Sequence, residues 1–313
     1  MISSQQRIAV VTATKGIGFE TAKKLLAAGI RTVICGRDEE RGMAAAAQAS
    51  HELLVATSAG AGGGGGRGDI HFRHLDISDR GSVETFVESF GREFGRCDVL
   101  VNSAGVAFKA SERTLSHEQQ ARPTFATNYF GTVDLTLAML PLLRKGKSPR
   151  IVTIASKSGQ LRILGGDEEK LRRIAGQPPS PVSVAAVTAF AHEYLASAEA
   201  GKAAADGWPA SHLGMSQLCK IAFTKALARR EMAHGLIAHA CCPGHCQTDM
   251  SSGSGSKTAE EGARTPAWVA LMRNDEGRGS SLSLSTGRFF SAEASYTESR
   301  EGEDPSEVFE IQW

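Results

Sequence analysis

The sequence predicts one α/β domain built on a doubly wound, parallel sheet. Short runs rich in β-branched and other apolar residues alternate with longer stretches of helical pattern. The runs are apolar almost throughout, as is typical of strands that helices cover on both faces. This alternation favours a doubly wound sheet over a barrel of eight repeats.

The alternation also gives the order of the elements. The predicted strands are 8–12, 31–35, 70–75, 99–102, 151–155 and 237–241, with 287–291 as a last strand. The predicted helices are 18–28, 39–49, 82–94, 125–143 and 215–233. A single domain therefore spans 1–313. It carries a glycine-rich surface loop at 58–69, a polar insert at 160–207 with a helix over 181–200, and a polar tail at 274–313.

Composition excludes several classes of partner. The chain has 41% apolar residues, 22% charged residues and a formal net charge of +1, as ordinary soluble globular proteins do. This balance gives no electrostatic reason to expect nucleic acid or a lipid surface. No apolar stretch approaches the roughly 18 residues of a membrane span, and the N-terminal segment lacks the pattern of a secretion signal. We therefore expect a cytoplasmic protein.

The cysteines argue against a metal site. The chain has six of them and no CxxC pair, although three cysteines and His245 fall within the run CCPGHC. Pro243 and Gly244 stiffen and turn the backbone there, and no second ligand pair follows, so zinc binding is not expected. Reduced cysteines suit a cytosolic protein.

The segment after the first predicted strand has the pattern of a dinucleotide site. It reads TATKGIGFETAKKLLAAG, with glycines where a helix opens. There the backbone can approach a pyrophosphate, and the helix N-terminus favours negative charge. Arg37 stands at the end of the second strand, where an acidic residue would bind the ribose of NAD. An arginine suits the 2′-phosphate of NADP, and a solvated loop arginine is the alternative.

These and further motifs resemble the short-chain dehydrogenase/reductases, in particular their monomeric carbonyl reductases. TATKGIGFE is similar to the family's glycine loop, DVLVNSAGVAF to its NNAG strand, and HLDIS to its adenine-side segment. TNYFGT, RIVTIAS and GWPASHLGMSQLCKIAFTKALARR resemble the segments with its active-site asparagine, serine and helix. HACCPGHCQTDM, TAEEGARTPAWVAL and the final Trp313 complete a likeness that covers nearly the whole chain.

The resemblance implies a Rossmann fold that binds NADPH and a small-molecule carbonyl substrate. By position it assigns the pyrophosphate to Gly16, Ile17 and Gly18, the 2′-phosphate to Lys15 and Arg37, the adenine to Asp76 and Ile77, the cofactor wall to Asn102, Ala104 and Gly105, and the nicotinamide end to Pro243, Gly244 and Thr248.

The glycine loop departs from the family pattern by one residue. The family's first glycine would stand between Thr12 and Ala13, where this chain has none. In the alternative register Thr12 itself takes the glycine position, where its side chain would hinder close approach. Either register puts cofactor affinity in question.

The active-site helix departs more. The family's proton-donating tyrosine and the lysine one turn later correspond to Leu213 and Gln217, which supply neither a proton nor a charge. None of the three tyrosines has a lysine four residues on. Ser156, expected to bond the substrate carbonyl, and Asn128, expected to serve a proton relay, remain.

Two functions follow from this pattern. One is NADPH-dependent reduction of ketones, aldehydes or quinones, weak or lost because losing a general acid costs about 10²–10⁴ in rate. The other is a non-catalytic relative that serves as a binding or scaffold module. His212 and Lys220 are possible substitutes for the lost groups, although a solvated His212 and a Lys220 whose amine reaches solvent are the simpler expectations.

Two further expectations concern the insert. If it covers the helix face by which many relatives pair, the protein is a monomer. We also expect the substrate pocket to be built from this insert and from the loop 251–266.

Overall fold

The computed structural model describes residues 6–58, 68–108, 114–177, 180–272, 286–292 and 308–310. The strands in these ranges are β1 Ile8–Val11, β2 Arg31–Gly36, β3 Ile70–His74, β4 Val99–Asn102, β5 Arg150–Ile154, β6 Gly176–Gln177, β7 Ser180–Pro181, β8 Ile237–Cys242, β9 Phe289–Ala292 and β10 Val308–Glu310. The α-helices are α1 Gly16–Ala27, α2 Glu39–Ser58, α3 Arg80–Phe94, α4 His117–Phe125, α5 Thr132–Leu143, α6 Glu168–Ala175, α7 Val184–Glu199, α8 His212–Glu231, α9 Ala259–Gly262 and α10 Arg264–Leu271.

The main sheet confirms the predicted fold class. Its strand order is β10-β9-β8-β5-β4-β1-β2-β3, and every pairing is parallel except that of β10 with β9. The chain moves outward from β1 to β3 and then returns to place β4 on the other side of β1. Ligands of such sheets bind at the carboxyl ends of the strands beside this reversal. The residues after β1 and β4 therefore mark the site.

Alternating strand residues feed two separate cores. Val10 packs with the layer that contains α3, α4, α5, α7 and α8, whereas Val11 packs with the layer of α1, α2 and α10. Both side chains are fully buried, as period-two alternation requires in a sheet covered on both faces. The near-continuous apolar runs of the sequence follow from this double burial.

The predicted helix 125–143 is wrong as a single element. The structure starts a helix earlier, at His117, ends it at Phe125, and inserts a wider π-helical turn, Ala126–Gly131, before α5 begins. π-helical turns are rare, and they often lie at functional sites. Here it contains Asn128, one of the expected site residues.

Three other helices differ from the predicted ones. The helix predicted to end at 49 runs on to Ser58, and the insert contains α6 in addition to the expected helix, which is α7. The active-site helix begins at His212 rather than at 215, because Ser211 caps it by accepting a hydrogen bond from Gly214 N at 3.0 Å. Residues 59–67 of the glycine-rich segment, and 274–285, 293–307 and 311–313 of the tail, lie outside the described residues.

Candidate active site

Thr12 settles the register of the shortened loop. Its hydroxyl accepts hydrogen bonds from Ser103 N at 2.9 Å and Ala104 N at 3.0 Å, and its own amide donates to Val101 O at 3.1 Å. Thr12 is thus tied to the end of β4 and is 4% exposed. The backbone turns directly afterwards, where Ala13 N donates to Val11 O at 2.9 Å. The missing residue is therefore the one after Thr12, and Thr12 does not stand at a glycine position.

Glycines shape the N-terminus of α1. Gly16 has a φ of 60°, which L side chains rarely adopt. A Cβ at Gly18 would lie 2.3 Å from Ser103 Oγ and 2.4 Å from Ala13 Cβ, so only glycine allows α1 to pack this closely on the β4 edge. No side chain caps the helix at Lys15. Its first backbone N–H groups are the kind of donors that bind a phosphate, so the cradle fits a pyrophosphate.

Of the expected 2′-phosphate residues, Lys15 is the N-cap of α1, and Arg37 follows Gly36, which lies against Thr14. Arg37 is exposed directly after β2. Lys15 forms an ion pair with Asp249, in the turn that follows Thr248. A Cβ at Gly16 would lie 3.6 Å from Thr248 Cγ2, so the segment after β8 reaches over the start of α1. The expected nicotinamide-side residues Pro243, Gly244 and Thr248 all belong to this segment.

The adenine-side and wall residues also follow strand ends. Asp76, after β3, accepts hydrogen bonds from the amide and hydroxyl of Ser78 at 2.9 and 2.6 Å. Ile77 is buried. Ala104 and Gly105 follow β4, whereas the Asn102 side chain turns away from this edge and donates to Thr136 Oγ1 of α5 at 2.9 Å. Asn102 therefore contacts the helix layer with its side chain.

The expected serine is brought against the active-site helix. Ser156 follows β5, is half-buried, and accepts a hydrogen bond from Ser158 N at 3.2 Å. The turn Lys157–Gly159 then packs on α8, where a Cβ at Gly159 would lie 2.5 Å from the carbonyl carbon of Gln217. Leu213, half-buried, and Gln217, 7% exposed, stand one turn apart on this helix.

Asn128 has a structural role in this arrangement. Its Oδ1 accepts from Val106 N at 2.7 Å, and its Nδ2 donates to Val106 O at 2.9 Å and to Ser216 Oγ at 3.1 Å. Ser216 in turn donates to Leu213 O at 2.8 Å. These bonds use both N–H groups of the Asn128 amide, and they join the segment after β4 to α8.

The expectation of a solvated His212 is wrong. His212 is 6% exposed and lies between Tyr194 of the insert and the start of α4. A carbonyl oxygen only accepts, so His212 Nε2 donates to His117 O at 2.9 Å, and Nδ1 accepts from Tyr194 Oη at 2.7 Å. Burial lowers the pKa of His212. Its one proton is already committed, so it does not replace the missing acid.

The expectation that the amine of Lys220 reaches solvent is also wrong. Lys220 is 2% exposed, and its amine donates to Ile154 O, the last carbonyl of β5, at 2.7 Å. Burial lowers the pKa of Lys220 to about 8. A side chain in a helix points toward the helix N-terminus, which explains why this amine reaches the carboxyl end of β5.

A cleft of about 750 Å³ opens beside Leu213. Its lining comes from the segment between β4 and the end of α4 and from the start of α8: Ala107, Phe108, Thr114, Leu115, Ser116, His117, Gln119, Gln120, Thr124, Ala210, Ser211, His212 and Leu213. No described residue of the insert 160–207 or of the loop 251–266 lines this cleft, so a substrate pocket built from those two segments stays a prediction. The sequence analysis did not name His117. Its only sequence signal is that it directly follows Ser116, a residue type that caps helices.

No group of three or more His, Cys, Asp or Glu side chains among the described residues could hold a metal ion. All six cysteines are free and buried. In the described part of the chain, no helix has both the length and the apolar character needed to cross a bilayer.

Comparison with known proteins identifies the family. A model described as short chain dehydrogenase matches residues 6–166. Carbonyl reductase (NADPH) 1 of Mus musculus is 32% identical over 280 residues, which cover 88% of this chain and 94% of that protein. The (+)-neomenthol dehydrogenase of Capsicum annuum is 28% identical, with 87% and 94% covered. Salutaridine reductase from Papaver somniferum has a structure that matches with a TM-score of 0.76 at 26% identity, covering 91% of this chain and 99% of that one. The chain therefore belongs to the short-chain dehydrogenase family, in its carbonyl reductase branch.

Proposed function

We propose that this protein binds NADPH and reduces a carbonyl group of a small molecule, with a turnover far below that of relatives that keep the tyrosine and lysine. The observation that carries the proposal is the start of α1, which presents backbone N–H groups that no side chain caps at Lys15, while the end of β2, which the exposed Arg37 follows, lies against Thr14. Two cations and a helix N-terminus suit a dinucleotide with an extra phosphate. The name of the Mus musculus relative gives NADPH as its cofactor, which supports the same choice.

Each part of the cofactor has residues that would hold it. The pyrophosphate would lie at Gly16 and Ile17, the 2′-phosphate at Lys15 and Arg37, the adenine by Asp76 and Ile77, and the nicotinamide end by Ala104, Gly105, Pro243, Gly244 and Thr248. When bound, NADPH supplies a hydride to a carbonyl carbon. Ser156 would donate a hydrogen bond to the carbonyl oxygen, holding the substrate in place.

The expected weakness follows from α8. Leucine at 213 has no proton to give, and glutamine at 217 has no charge with which to promote proton loss or hold a ribose. Electron-poor quinones demand the least help from an acid, so they are the substrates we expect to be turned over. We also propose a cytoplasmic location, because the six buried cysteines are unpaired.

Nucleotide binding tests the proposal. We expect NADPH to raise the unfolding temperature of the purified protein more than NADH does. Arg37→Gln should weaken NADPH binding about tenfold, as the loss of one charge-assisted contact does, and leave NADH binding unchanged. Arg41→Gln is the control, because Arg41 is also exposed and lies on the neighbouring turn, paired with Asp38.

The alternative, a non-catalytic binding module, predicts a different result. Three departures converge on one site: the shortened loop, Leu213 and Gln217. If neither nucleotide stabilises the protein, the reductase proposal is wrong, and the expected ligands are then other proteins.

A further inference from the structure

The segment 243–262 follows β8 and extends to two parts of the candidate cofactor site. At the start of α1, Thr248 Cγ2 lies 3.6 Å from the position that a Cβ on Gly16 would take. After β4, Met250 Cε lies 3.7 Å from the position of a Cβ on Gly105. The short turn from Thr248 to Met250 thus reaches from the helix start to the β4 edge. The residue between these two therefore lies beside the proposed cofactor site.

That residue is Asp249. Its carboxylate forms an ion pair with the amine of Lys15, the N-cap of α1. A lysine and a helix N-terminus are both features that attract a phosphate. The Asp249 carboxylate is thus an anion that already binds one of the groups assigned to the cofactor.

The Lys15–Asp249 pair is open to exchange. The side chain of Lys15 is 57% exposed, and that of Asp249 is 77% exposed. Ion pairs this exposed are weak, because water screens both charges. A phosphate monoester carries about two negative charges near neutral pH, whereas a carboxylate carries one. The 2′-phosphate of NADPH is therefore able to replace Asp249 at Lys15, with loss of the existing pair.

We propose that Asp249 is a specificity-determining residue that weakens the preference of this protein for NADPH over NADH. The proposal rests on the proposed function, which assigns the 2′-phosphate to Lys15. NADPH has to compete with the Asp249 carboxylate for the amine of Lys15. NADH has no 2′-phosphate, so its binding does not require the pair to break. Asp249 thus lowers the affinity for one cofactor and not for the other.

Asp249→Asn tests the assignment, because asparagine keeps the size of the side chain and a carbonyl oxygen but removes the charge. We expect the Kd of NADPH to fall about fivefold, the upper end of what an exposed ion pair contributes. The Kd of NADH should stay the same. Fluorescence titration of the purified protein with each nucleotide, at an ionic strength of about 0.1 M, measures both values.

Glu260→Gln is the matched control. Glu260 belongs to the same segment, is 70% exposed and pairs with Lys24 of α1 at 3.7 Å. Lys24 lies in the last turn of α1, about 13 Å further along the helix axis than Lys15. This distance exceeds the Debye length of about 10 Å at that ionic strength. Glu260→Gln should therefore leave both Kd values unchanged, although it breaks an ion pair between the same segment and the same helix.

The effect of Asp249→Asn should also depend on Lys15. Lys15→Gln should weaken NADPH binding, because it removes a charge assigned to the 2′-phosphate. In that background Asp249→Asn should tighten NADPH binding much less than it does in the unsubstituted protein, since no amine is left to release. Such a double-mutant cycle isolates the coupling between the two residues.

Three results would contradict the proposal. They are an unchanged Kd of NADPH in Asp249→Asn, an equal gain in the affinity for NADH, and the same gain with and without Lys15. In each of them NADPH still binds, so the proposed function stands. If neither the unsubstituted protein nor Asp249→Asn binds NADPH, the proposed function itself is refuted, and the assignment of Asp249 falls with it.

Discussion

The resemblance assigns Leu213 and Gln217 to the positions where the family's active-site helix carries its tyrosine and lysine, and both lie on a well-packed helix, α8. Gly159 packs on the backbone of Gln217, and Asn128 donates a hydrogen bond to Ser216 of α8. We therefore expect these contacts to hold α8 in place when a tyrosine and a lysine are introduced at the two positions.

We expect Leu213→Tyr combined with Gln217→Lys to raise kcat/KM for menadione by about 10²–10⁴, the usual contribution of a positioned general acid. Steady-state NADPH oxidation measures it. Each single substitution is a control and should give much less, because the lysine acts through the tyrosine. A double variant that binds NADPH but gains no activity would show that the shortened loop, rather than α8, limits the reaction.

Lys220 is a charge in the core of the protein. Its amine has Ile154 O as a hydrogen-bond acceptor, and desolvation lowers its pKa from 10.5 to about 8. Between these two values the unfolded chain holds more protons than the folded one, so this lysine makes stability rise with pH. The penalty is complete below about pH 8 and disappears as pH approaches the unfolded value.

Lys220→Met should remove this dependence. We expect the stability of the unsubstituted protein relative to the variant to improve by about 2–3 kcal/mol between about pH 7 and about pH 10. Urea unfolding at both pH values measures the difference. Lys145→Met, at an exposed lysine after α5, should show no such change. Parallel pH profiles for the unsubstituted protein and Lys220→Met would mean that the amine is solvated in the folded state.

At the residue scale, the motifs indicated a candidate site but not the direction of its side chains. Thr12, Ser156, Leu213 and Gln217 could be placed from sequence because each adjoins a strand end or a helix turn. His212 and Lys220 could not, since their surroundings come from α7 and β5, which lie far away in sequence. Whether a histidine is solvated depends on neighbours that no local pattern reveals.

Among the elements, α1 depends most on one close contact. Its approach to the β4 edge needs the absence of a side chain at Gly18, where a Cβ would meet Ser103 and Ala13 well inside contact distance. The glycine pattern therefore serves helix packing here, in addition to the phosphate binding that we propose for it.

Gly18→Ala should destabilise the protein by about 1–3 kcal/mol, as overpacking does, and should weaken NADPH binding by displacing the helix start. Thermal unfolding with and without NADPH measures both effects. Gly91→Ala is the matched control: Gly91 also lies within a helix, α3, but its Cβ would meet Leu142 at an ordinary 3.5 Å. That substitution should be neutral or gain up to about 1 kcal/mol from helix propensity. Equal losses in both variants would show that the close packing at Gly18 does not matter.

The elements of the insert were harder to predict. The helix 181–200 was expected and corresponds to α7, but α6 was not expected.

Outside the insert, the π-helical turn Ala126–Gly131 was not expected either. Local propensity favours a continuous helix over 125–143. The wider turn is associated with tertiary contacts, above all the bonds of Asn128 to Val106 and Ser216.

For the molecule as a whole, the position of α7 bears on assembly. Thr188 bonds the hydroxyl of Tyr129 at 3.0 Å, His192 stacks on Phe130, and Tyr194 packs on Phe125 with centroids 5.2 Å apart. The insert thus covers α4, the π-helical turn and the start of α8. Without the insert, these helices would be exposed and could pack against a second copy of the chain.

We therefore expect a monomer of 33.1 kDa. Sedimentation equilibrium measures the mass, over a range of concentrations that would reveal a weak dimer. A stable species of twice this mass would show that a different face mediates pairing.

The sequence by itself determined the class of fold, the order of the first five strands and of β8 and β9 along the chain, and the family, and it led to the proposed site residues. These follow from hydrophobic periodicity and from motifs, which are local and survive without knowledge of the neighbours. Only the tertiary structure decided the register of the Thr12 loop, the break before α5, the committed proton of His212 and the burial of Lys220. Each of these depends on contacts between residues distant in sequence, where burial and hydrogen-bond partners, rather than the residue's own identity, set its chemistry.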